Sequence, residues 1–187
     1  MEWIQEVDTK ILMGLREFFC SAWLDGPMMF ISRLGNHGLI WIVLAVCLLL
    51  VGMVDKKKKS YRVCGIMVGL SLLFNLLLCN IWLKPLVARS RPYDLLEYEI
   101  LLPALSDYSF PSGHTSASFA AATAVYAMNK KWGTIAFVFA GLMGFSRLYL
   151  GVHFPSDVFF GAFLGCFAAK IAIFMVRKII LSKKSNI

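Results

Sequence analysis

Long uncharged stretches of apolar residues alternate with short polar turns over most of the chain. The stretch between Arg33 and Asp55 and the stretch between Arg62 and Lys84 each contain 21 uncharged residues. That is about the length of a helix that crosses the hydrocarbon core of a bilayer. Five apolar stretches are predicted to be spans, and they cover residues 39–54, 63–83, 115–128, 132–149 and 158–176. We therefore predict an all-α, polytopic membrane helical bundle with five to six transmembrane helices.

The first 34 residues carry a different pattern, in which apolar residues recur at helical spacing from Ile4 to Phe19 and charged residues fill other positions. This pattern is typical of an amphipathic helix that lies in the membrane interface. The sequence Asp25-Gly26-Pro27 is predicted to end that helix. A crossing within residues 8–34 would be the sixth span, and it would move only the N-terminus to the other side.

Composition supports a single membrane domain. Apolar residues make up 59% of the 187 residues and charged residues only 16%, whereas a soluble domain has about half and about a quarter. We divide the domain into an interfacial segment at residues 1–34, a helical core at residues 35–176 and a basic cytoplasmic tail at residues 177–187. The five cysteines show no CxxC or zinc-ligand spacing, so no disulfide and no metal site are predicted from them.

The positions of the basic residues predict the topology. The run Lys56–Lys59, the pair Lys130-Lys131 and the basic tail lie at alternate ends of the five spans. All three therefore fall on one side, which the positive-inside rule identifies as the cytoplasm. A lysine run between two apolar spans is typical of this boundary, and no nucleic-acid partner is expected. On the opposite, extracytoplasmic side, the basic residues other than Arg33 fall in or beside three polar clusters.

The first cluster contains Lys84 and Arg91, which are seven residues apart. If the intervening turn is helical, both side chains project from one face. Two fixed cations at a membrane rim can hold a phosphate, the arginine in bidentate fashion and the lysine as a point charge. Taken alone, the pair is better explained as two boundary residues that extend their charged ends to the interface.

The second cluster is Pro111-Ser112-Gly113-His114, directly before the third span. The Ser112 hydroxyl and the first N–H groups of a helix that starts here are suited to bind an anion. The imidazole of His114 can transfer a proton. Taken alone, this cluster is also consistent with a helix-capping serine beside an incidental histidine.

The third cluster contains Arg147, His153 and Asp157. If a helix begins near His153, the spacing of four residues places His153 and Asp157 on one face, although Pro155 favours a turn. A carboxylate bonded to one ring nitrogen leaves the other nitrogen free as a nucleophile or base. Arg147 can reach the same phosphate. Two histidines with Asp157 could instead bind a metal, but the neighbouring cations disfavour a divalent ion.

Together the three clusters resemble the signature of the type 2 phosphatidic acid phosphatase (PAP2) superfamily over residues 35–176. The matching motifs are Lys84-x6-Arg91-Pro92, Pro111-Ser112-Gly113-His114 and Ser146-Arg147-x5-His153-x3-Asp157. The resemblance implies that His153 is the nucleophile that forms a phosphohistidine, that Asp157 orients it, and that His114 protonates the leaving oxygen. It further implies no metal and no other cofactor, and phosphoryl-oxygen binding by Lys84, Arg91, Ser112, Gly113 and Arg147.

Within that superfamily, the small size and the outward site resemble bacterial undecaprenyl pyrophosphate phosphatases and phosphatidylglycerophosphate phosphatases. We therefore expect a metal-independent lipid (pyro)phosphate phosphatase, multi-pass in the bacterial inner membrane, with an extracytoplasmic active site and a cytoplasmic C-terminus. Undecaprenyl diphosphate is the favoured substrate, with phosphatidylglycerophosphate and phosphatidate as alternatives.

The expected partners are this lipid substrate and the bilayer, and the sequence leaves the oligomeric state open. Two further hypotheses share the same anion site. One is a phospholipid-binding or transporting membrane protein that performs no hydrolysis. The other is a vanadate-dependent oxidase, which the strongly apolar composition disfavours because that branch of the superfamily is typically soluble.

Overall fold

The computed structural model describes residues 2–185, and the described chain is helical with no β-strand. Its helices are α1 (Glu2–Phe19), α2 (Ala22–Leu34), α3 (Leu39–Val54), α4 (Lys59–Asn75), α5 (Lys84–Val87), α6 (Pro92–Leu95), α7 (Gly113–Met128), α8 (Lys130–Tyr149) and α9 (Pro155–Ser185). A π-helical segment, Leu76–Leu83, joins α4 to α5 without a break. The predicted all-α membrane bundle is confirmed.

Within residues 2–185, three helical segments are long and apolar enough to cross a membrane, namely Asn36–Val54, Lys59–Leu95 and Pro155–Ser182. The first contains α3, whose bounds coincide with the predicted span over residues 39–54. The second contains the predicted span over residues 63–83, which ends with the π-helical segment, and it continues beyond residue 83 into α5. The wider π turn directly precedes Pro85, whose ring clashes with the carbonyl four residues earlier in a regular helix.

The small-residue helix α7 lies inside the bundle, as its composition predicts. It packs against α4, α8 and α9, and it buries a run of alanines: Ala120, Ala121, Ala122 and Ala124. Close approach requires glycine on the neighbouring helices. A Cβ on Gly133 of α8 would lie 2.2 Å from the backbone of Tyr126, and a Cβ on Gly165 of α9 would lie 2.1 Å from the Ser116 carbonyl oxygen.

The N-terminal segment forms two helices, and the break between them is not where the sequence predicts it. Residues 25–27 lie inside α2, with Pro27 in the helix, and the chain instead breaks at Ser21, which is fully extended. The Ser21 N–H donates to the Tyr149 hydroxyl at 3.1 Å, and that hydroxyl donates to the Ser21 carbonyl at 2.9 Å. A contact with a residue 128 positions away therefore ends α1, and the local turn signal is overridden.

Helix α1 has the two faces of an amphipathic helix. Its outward face exposes large apolar side chains: Trp3, Ile4, Val7, Ile11, Met13, Phe18 and Phe19. Its inward face buries Leu12 and, unexpectedly for a helix at the interface, the charged Asp8. The inward face packs against α8 and α9, so α1 lies over the end of the bundle where those two helices are joined.

Candidate active site

A cavity of about 810 Å³ lies between α3, α4 and the N-terminus of α7. At one end it is lined by charged and polar side chains: Lys84, Arg91, Asp107, His114, Arg147 and His153. At the other end it is lined by apolar residues of the two spans: Ile42, Ala45, Val46, Leu49, Leu72, Leu73 and Leu76. The cavity can therefore hold an anionic group and an apolar chain at the same time.

Lys84 and Arg91 meet at the polar end, but not along one helical face. Between them the chain leaves the helix at Ala88, which has a positive φ, and then extends to Arg91. The two side chains converge instead on the Asp107 carboxylate, which accepts a hydrogen bond from each, the one from Arg91 Nη2 at 2.6 Å. Arg91 is held further by Nη1, which donates to the Val152 carbonyl at 2.6 Å.

Asp107 is a site residue that the sequence did not identify, because an acidic residue in a polar loop reads as solvated. Partial burial by itself raises the pKa of its carboxyl, but the hydrogen bond and charge of Lys84 and the charge of Arg91 outweigh burial and hold that pKa at about 2. The side chain is half-exposed. A carboxylate therefore lies between the two cations that were predicted to hold a phosphate.

Helix α7 begins at Gly113, so its N-terminus faces the cavity through Gly113 and His114. Ser112 is arranged differently from the prediction. Its N–H donates to the Asp157 carbonyl at 3.1 Å, and its hydroxyl is bonded to the Thr115 hydroxyl at 2.9 Å. Ser112 is fully buried and is not among the residues that line the cavity.

The imidazole of His114 lies at the cavity wall, and its Nε2 is 3.1 Å from Asn36 Oδ1. Asn36 belongs to the short turn between α2 and α3. A Cβ on Gly35 of the same turn would lie 2.7 Å from His114 Cδ2. This turn therefore places a polar partner and a close backbone wall beside the ring, and it limits the orientations that the ring can take.

His153 lies in the turn before α9, and Asp157 lies in the first turn of that helix. The prediction that Pro155 favours a turn at this point agrees with the structure. His153 Nδ1 is 3.6 Å from Asp157 Oδ2, and His153 Nε2 is 3.4 Å from Arg91 Nη1. The ring therefore turns one nitrogen to the carboxylate and the other to the cations of the cavity.

Burial is the main cause that lowers the pKa of His153, to about 3. The positive charges of Arg91 and Arg147 act in the same direction, and together with burial they outweigh the hydrogen bond and charge of Asp157, which raise that pKa. The ring is consequently neutral at pH 7. A neutral imidazole has a free lone pair on one nitrogen, which is what a nucleophile or a base requires. The side chain of His153 is almost completely buried, so water competes little for that nitrogen.

Arg147 reaches the cavity from the last turn of α8 and is also buried. Its Nη1 donates to the Ser32 hydroxyl of α2. Its Nε has no hydrogen-bond partner within the described residues. A buried guanidinium N–H without a partner is costly, and an anion bound in the cavity is a suitable acceptor.

Three further residues contact Asp157, and sequence reasoning assigned no role to any of them. Ser109 Oγ donates to Asp157 Oδ2 at 2.5 Å. The Phe154 N–H donates to the same oxygen at 2.8 Å, and Arg89 Nη1 donates to Asp157 Oδ1 at 2.6 Å. The only sequence signal was proximity, since Ser109 and Arg89 stand near predicted site residues.

The structure brings all the predicted site residues into one region. The exception is the Ser112 hydroxyl, which points away from the cavity.

No group of three or more His, Cys, Asp or Glu side chains with metal-binding geometry occurs among residues 2–185. The groups that do line the cavity are three cations, three histidines (His37, His114 and His153) and one carboxylate. This donor set suits a phosphate or a similar oxyanion much better than a divalent metal ion.

Comparisons with known proteins point to one family. The sequence profile of the PAP2 superfamily matches residues 64–180. An undecaprenyl-diphosphatase from Sulfolobus acidocaldarius is 32% identical over 154 residues, which is 81% of this chain and 70% of that protein. A lipid A 4'-phosphatase from Bacteroides thetaiotaomicron is 26% identical over 194 residues, which is 100% of this chain and 84% of that protein.

A solved structure has a similar fold. The crystal structure of a transmembrane PAP2 type phosphatidylglycerolphosphate phosphatase from Bacillus subtilis superposes with a TM-score of 0.75 and 27% sequence identity. The match covers 96% of this chain and 89% of that chain. The three similar proteins thus carry the names of three different lipid phosphate substrates.

Proposed function

This chain belongs to the PAP2 superfamily and is a membrane lipid phosphatase, and we propose that it hydrolyses undecaprenyl diphosphate at the extracytoplasmic face without a metal. The observation that carries the proposal is the shape of the cavity, in which cations and two histidines meet at one end and an apolar groove between α3 and α4 continues from the other. A phosphorylated lipid has the same two parts.

In the proposed reaction the phosphoryl group enters between Lys84, Arg91 and Arg147 and displaces the Asp107 carboxylate. The N–H groups at the start of α7 stabilise the same oxygens. These donors are fixed before the substrate arrives, and they stabilise the additional negative charge of the transition state.

His153 then attacks phosphorus through Nε2, which faces the cations, while Nδ1 faces Asp157. The new N–P bond forms as the bond between phosphorus and the leaving lipid oxygen breaks. His114 donates its proton to that oxygen, and the negative charge of the bound phosphate favours the protonated imidazole that this step needs.

Water completes the reaction by attacking the phosphohistidine. His114, now neutral, takes the proton from the water. The N–P bond breaks, inorganic phosphate is released, and His153 returns to its neutral form. The apolar groove holds the lipid product until it diffuses into the bilayer.

Undecaprenyl diphosphate is proposed ahead of other lipids for two reasons. The undecaprenyl-diphosphatase relative matches at the highest identity of the three proteins described above. The apolar part of the cavity also lies along α3 and α4, where a long isoprenoid chain can leave sideways into the lipid. Phosphatidylglycerophosphate, phosphatidate and lipid A 4'-phosphate expose the same phosphoryl group and are the competing substrates.

The substrate is tested by phosphate release from the purified protein in detergent, with EDTA present, on each of these four lipids. We expect the highest kcat/KM on undecaprenyl diphosphate and no loss of activity from the chelator. His153→Ala should abolish release. A faster reaction on another lipid would replace the substrate, and activity that returns only with added metal would contradict the metal-free mechanism.

The sidedness is tested by cysteine labelling in cells with a membrane-impermeant maleimide. Leu101→Cys in the loop before α7 and Lys58→Cys between α3 and α4 are compared, in a protein whose exposed Cys20 and Cys47 are replaced by serine. We expect intact cells to label only the Leu101→Cys protein, and permeabilised cells to label both. The reverse pattern would place the site on the cytoplasmic side.

A further inference from the structure

Arg89 links the catalytic pair to the N-terminal helix. Its Nη1 donates to Asp157 Oδ1 at 2.6 Å and to the Ser156 hydroxyl at 2.8 Å. Its Nη2 donates to Asp8 Oδ2 at 2.7 Å and to Gln5 Oε1 at 2.8 Å. One guanidinium is therefore shared between a carboxylate beside His153 and a carboxylate from α1.

Packing fixes this guanidinium in place. Its carbon lies 4.2 Å from the centroid of the Phe154 ring, which is fully buried. The backbone of Arg89 contributes as well, because its carbonyl accepts from the Ser109 N–H at 2.9 Å. Ser109 in turn donates to the second oxygen of Asp157. Both oxygens of the Asp157 carboxylate are thus held by Arg89 or by a residue that Arg89 supports.

Asp8 is bonded as closely on its other side. Its Oδ1 accepts from the Ser156 N–H at 2.9 Å, and its Oδ2 accepts from the Ser156 hydroxyl. These contacts satisfy a free N–H in the first turn of α9, where a carboxylate is favoured by the helix dipole. The Asp8 side chain is only 6% exposed, although α1 otherwise shows the composition of an interfacial helix.

We propose that Arg89 and Asp8 are positioning residues, through which helix α1 sets the orientation and the charge of Asp157 and so of His153. The proposal rests on the roles of His153 and Asp157 in the proposed function. Neither Arg89 nor Asp8 lines the cavity, so neither touches the phosphoryl group.

The charge balance explains why both residues are needed. With Arg89 alone, the positive guanidinium would neutralise the Asp157 carboxylate. The carboxylate would then stabilise less well the positive charge that the His153 ring acquires as it attacks phosphorus. Asp8 supplies a second carboxylate, so the group of three keeps one net negative charge beside His153. Without Arg89, two buried carboxylates would repel each other, and Asp157 would lose a partner that fixes its orientation.

The test compares Arg89→Gln, Asp8→Asn and the double variant with the wild-type protein in the phosphate-release assay. We expect kcat to fall about 100-fold for Arg89→Gln, since a small displacement of a reacting group has an effect of that size. For Asp8→Asn we expect a fall of about 10-fold. Because Asp8 acts through Arg89, the double variant should resemble Arg89→Gln instead of multiplying the two losses.

Two readouts separate positioning from a general loss of structure. The affinity for inorganic phosphate, measured by calorimetry, should stay within about twofold of the wild type in each variant, because the phosphate-binding cations are intact and this ion forms no bond to His153. Arg89→Ala should regain activity when guanidinium ion is added at non-denaturing concentration, and sodium at the same concentration should not restore it. Glu6→Gln on the exposed face of α1 is the matched control and should leave kcat unchanged.

Each outcome decides the proposal. Unchanged kcat in Asp8→Asn or Arg89→Gln, with an active wild type, overturns the inference and leaves the proposed function intact. Loss of affinity for inorganic phosphate in parallel with kcat shows a structural role and also overturns it, as do multiplicative losses in the double variant or a failure of guanidinium to restore activity. A wild type that releases no phosphate from any lipid removes the proposed function and this inference together.

Discussion

The basic residues at the two ends of the bundle have similar charge but opposite environments. At one end, Lys57, Lys58 and Lys59 between α3 and α4 and the pair Lys130-Lys131 at the start of α8 are exposed. Their only ion pair within the described residues is between Lys58 and Asp55, at 3.7 Å. At the other end, Arg89, Arg91 and Arg147 are largely buried, and each donates at least one side-chain hydrogen bond.

This difference shows that the role of a cation in a membrane protein depends on its burial and geometry more than on its position near a span. Exposed lysines lose little hydration and can act only through long-range attraction to one side of the membrane. Buried guanidinium groups must be paired, so each is bonded in a defined direction. Function is therefore expected to be sensitive to substitution at one end of the bundle and tolerant at the other.

The largest effect is expected from Arg91→Lys, which keeps the charge and removes the geometry. Arg91 donates from Nε, Nη1 and Nη2 to three different oxygens, and a single ammonium group cannot reproduce that arrangement. We expect kcat/KM for phosphate release to fall roughly 100- to 1,000-fold. Arg62→Lys, the same change at an exposed arginine, is the control. Equal activity in the Arg91→Lys and Arg62→Lys variants would contradict the expected difference in sensitivity between the two ends of the bundle.

An intermediate effect of opposite sign is expected from Asp107→Asn. Removing the carboxylate that lies between Lys84 and Arg91 should tighten orthovanadate binding about fivefold, which is the effect of a half-exposed ion pair of ~1 kcal/mol. Since its pKa is about 2, Asp107 is ionised at every pH above 4, and only strong acid would protonate it and free the cations. The gain in vanadate affinity should therefore be the same from pH 5 to 9. Calorimetric titration measures it.

Glu97→Gln in the same loop is the control for Asp107→Asn, because Glu97 is exposed and makes no side-chain ion pair among the described residues. Weaker vanadate binding in Asp107→Asn would show that this carboxylate organises the cations instead of competing with the substrate.

The smallest effect is expected from replacing both Lys130 and Lys131 by glutamine. These side chains are exposed at the end of the bundle away from the cavity. In detergent, kcat/KM for phosphate release should change by no more than about twofold. A tenfold loss would show that the exposed end also contributes to catalysis, and a change seen only in cells would reflect membrane insertion.

Much of the fold could be predicted because a bilayer permits few solutions. Backbone groups in lipid must bond within their own segment, so an uncharged stretch of sufficient length becomes a helix. The third helix, Leu39–Val54, shows this directly, since its bounds match the predicted ones. The small residues of α7 likewise indicated a helix in the interior. The break at Ser21 could not be predicted, because it depends on the hydroxyl of Tyr149.

The candidate site was predictable to the extent that its residues form motifs of fixed spacing. Lys84, Arg91, His114, Arg147 and His153 all line the cavity. What the spacing did not reveal is which donor points inward. The hydroxyl of Ser112 was assigned to the phosphate by its place in a motif, but its position relative to Thr115 directs it away from the cavity.

Long apolar helices and the three clusters could be predicted, because hydrophobicity over about 20 residues and short spacings along the chain are local properties. Which acidic residues belong to the site depends on the folded chain. Asp8 and Asp107 stand in stretches that look solvated, yet one contacts Arg89 across 81 positions and the other contacts Lys84 across 23. Nearby residues in the sequence do not distinguish a solvated carboxylate from a paired one, because the cation of the pair is distant along the chain and only folding brings it close.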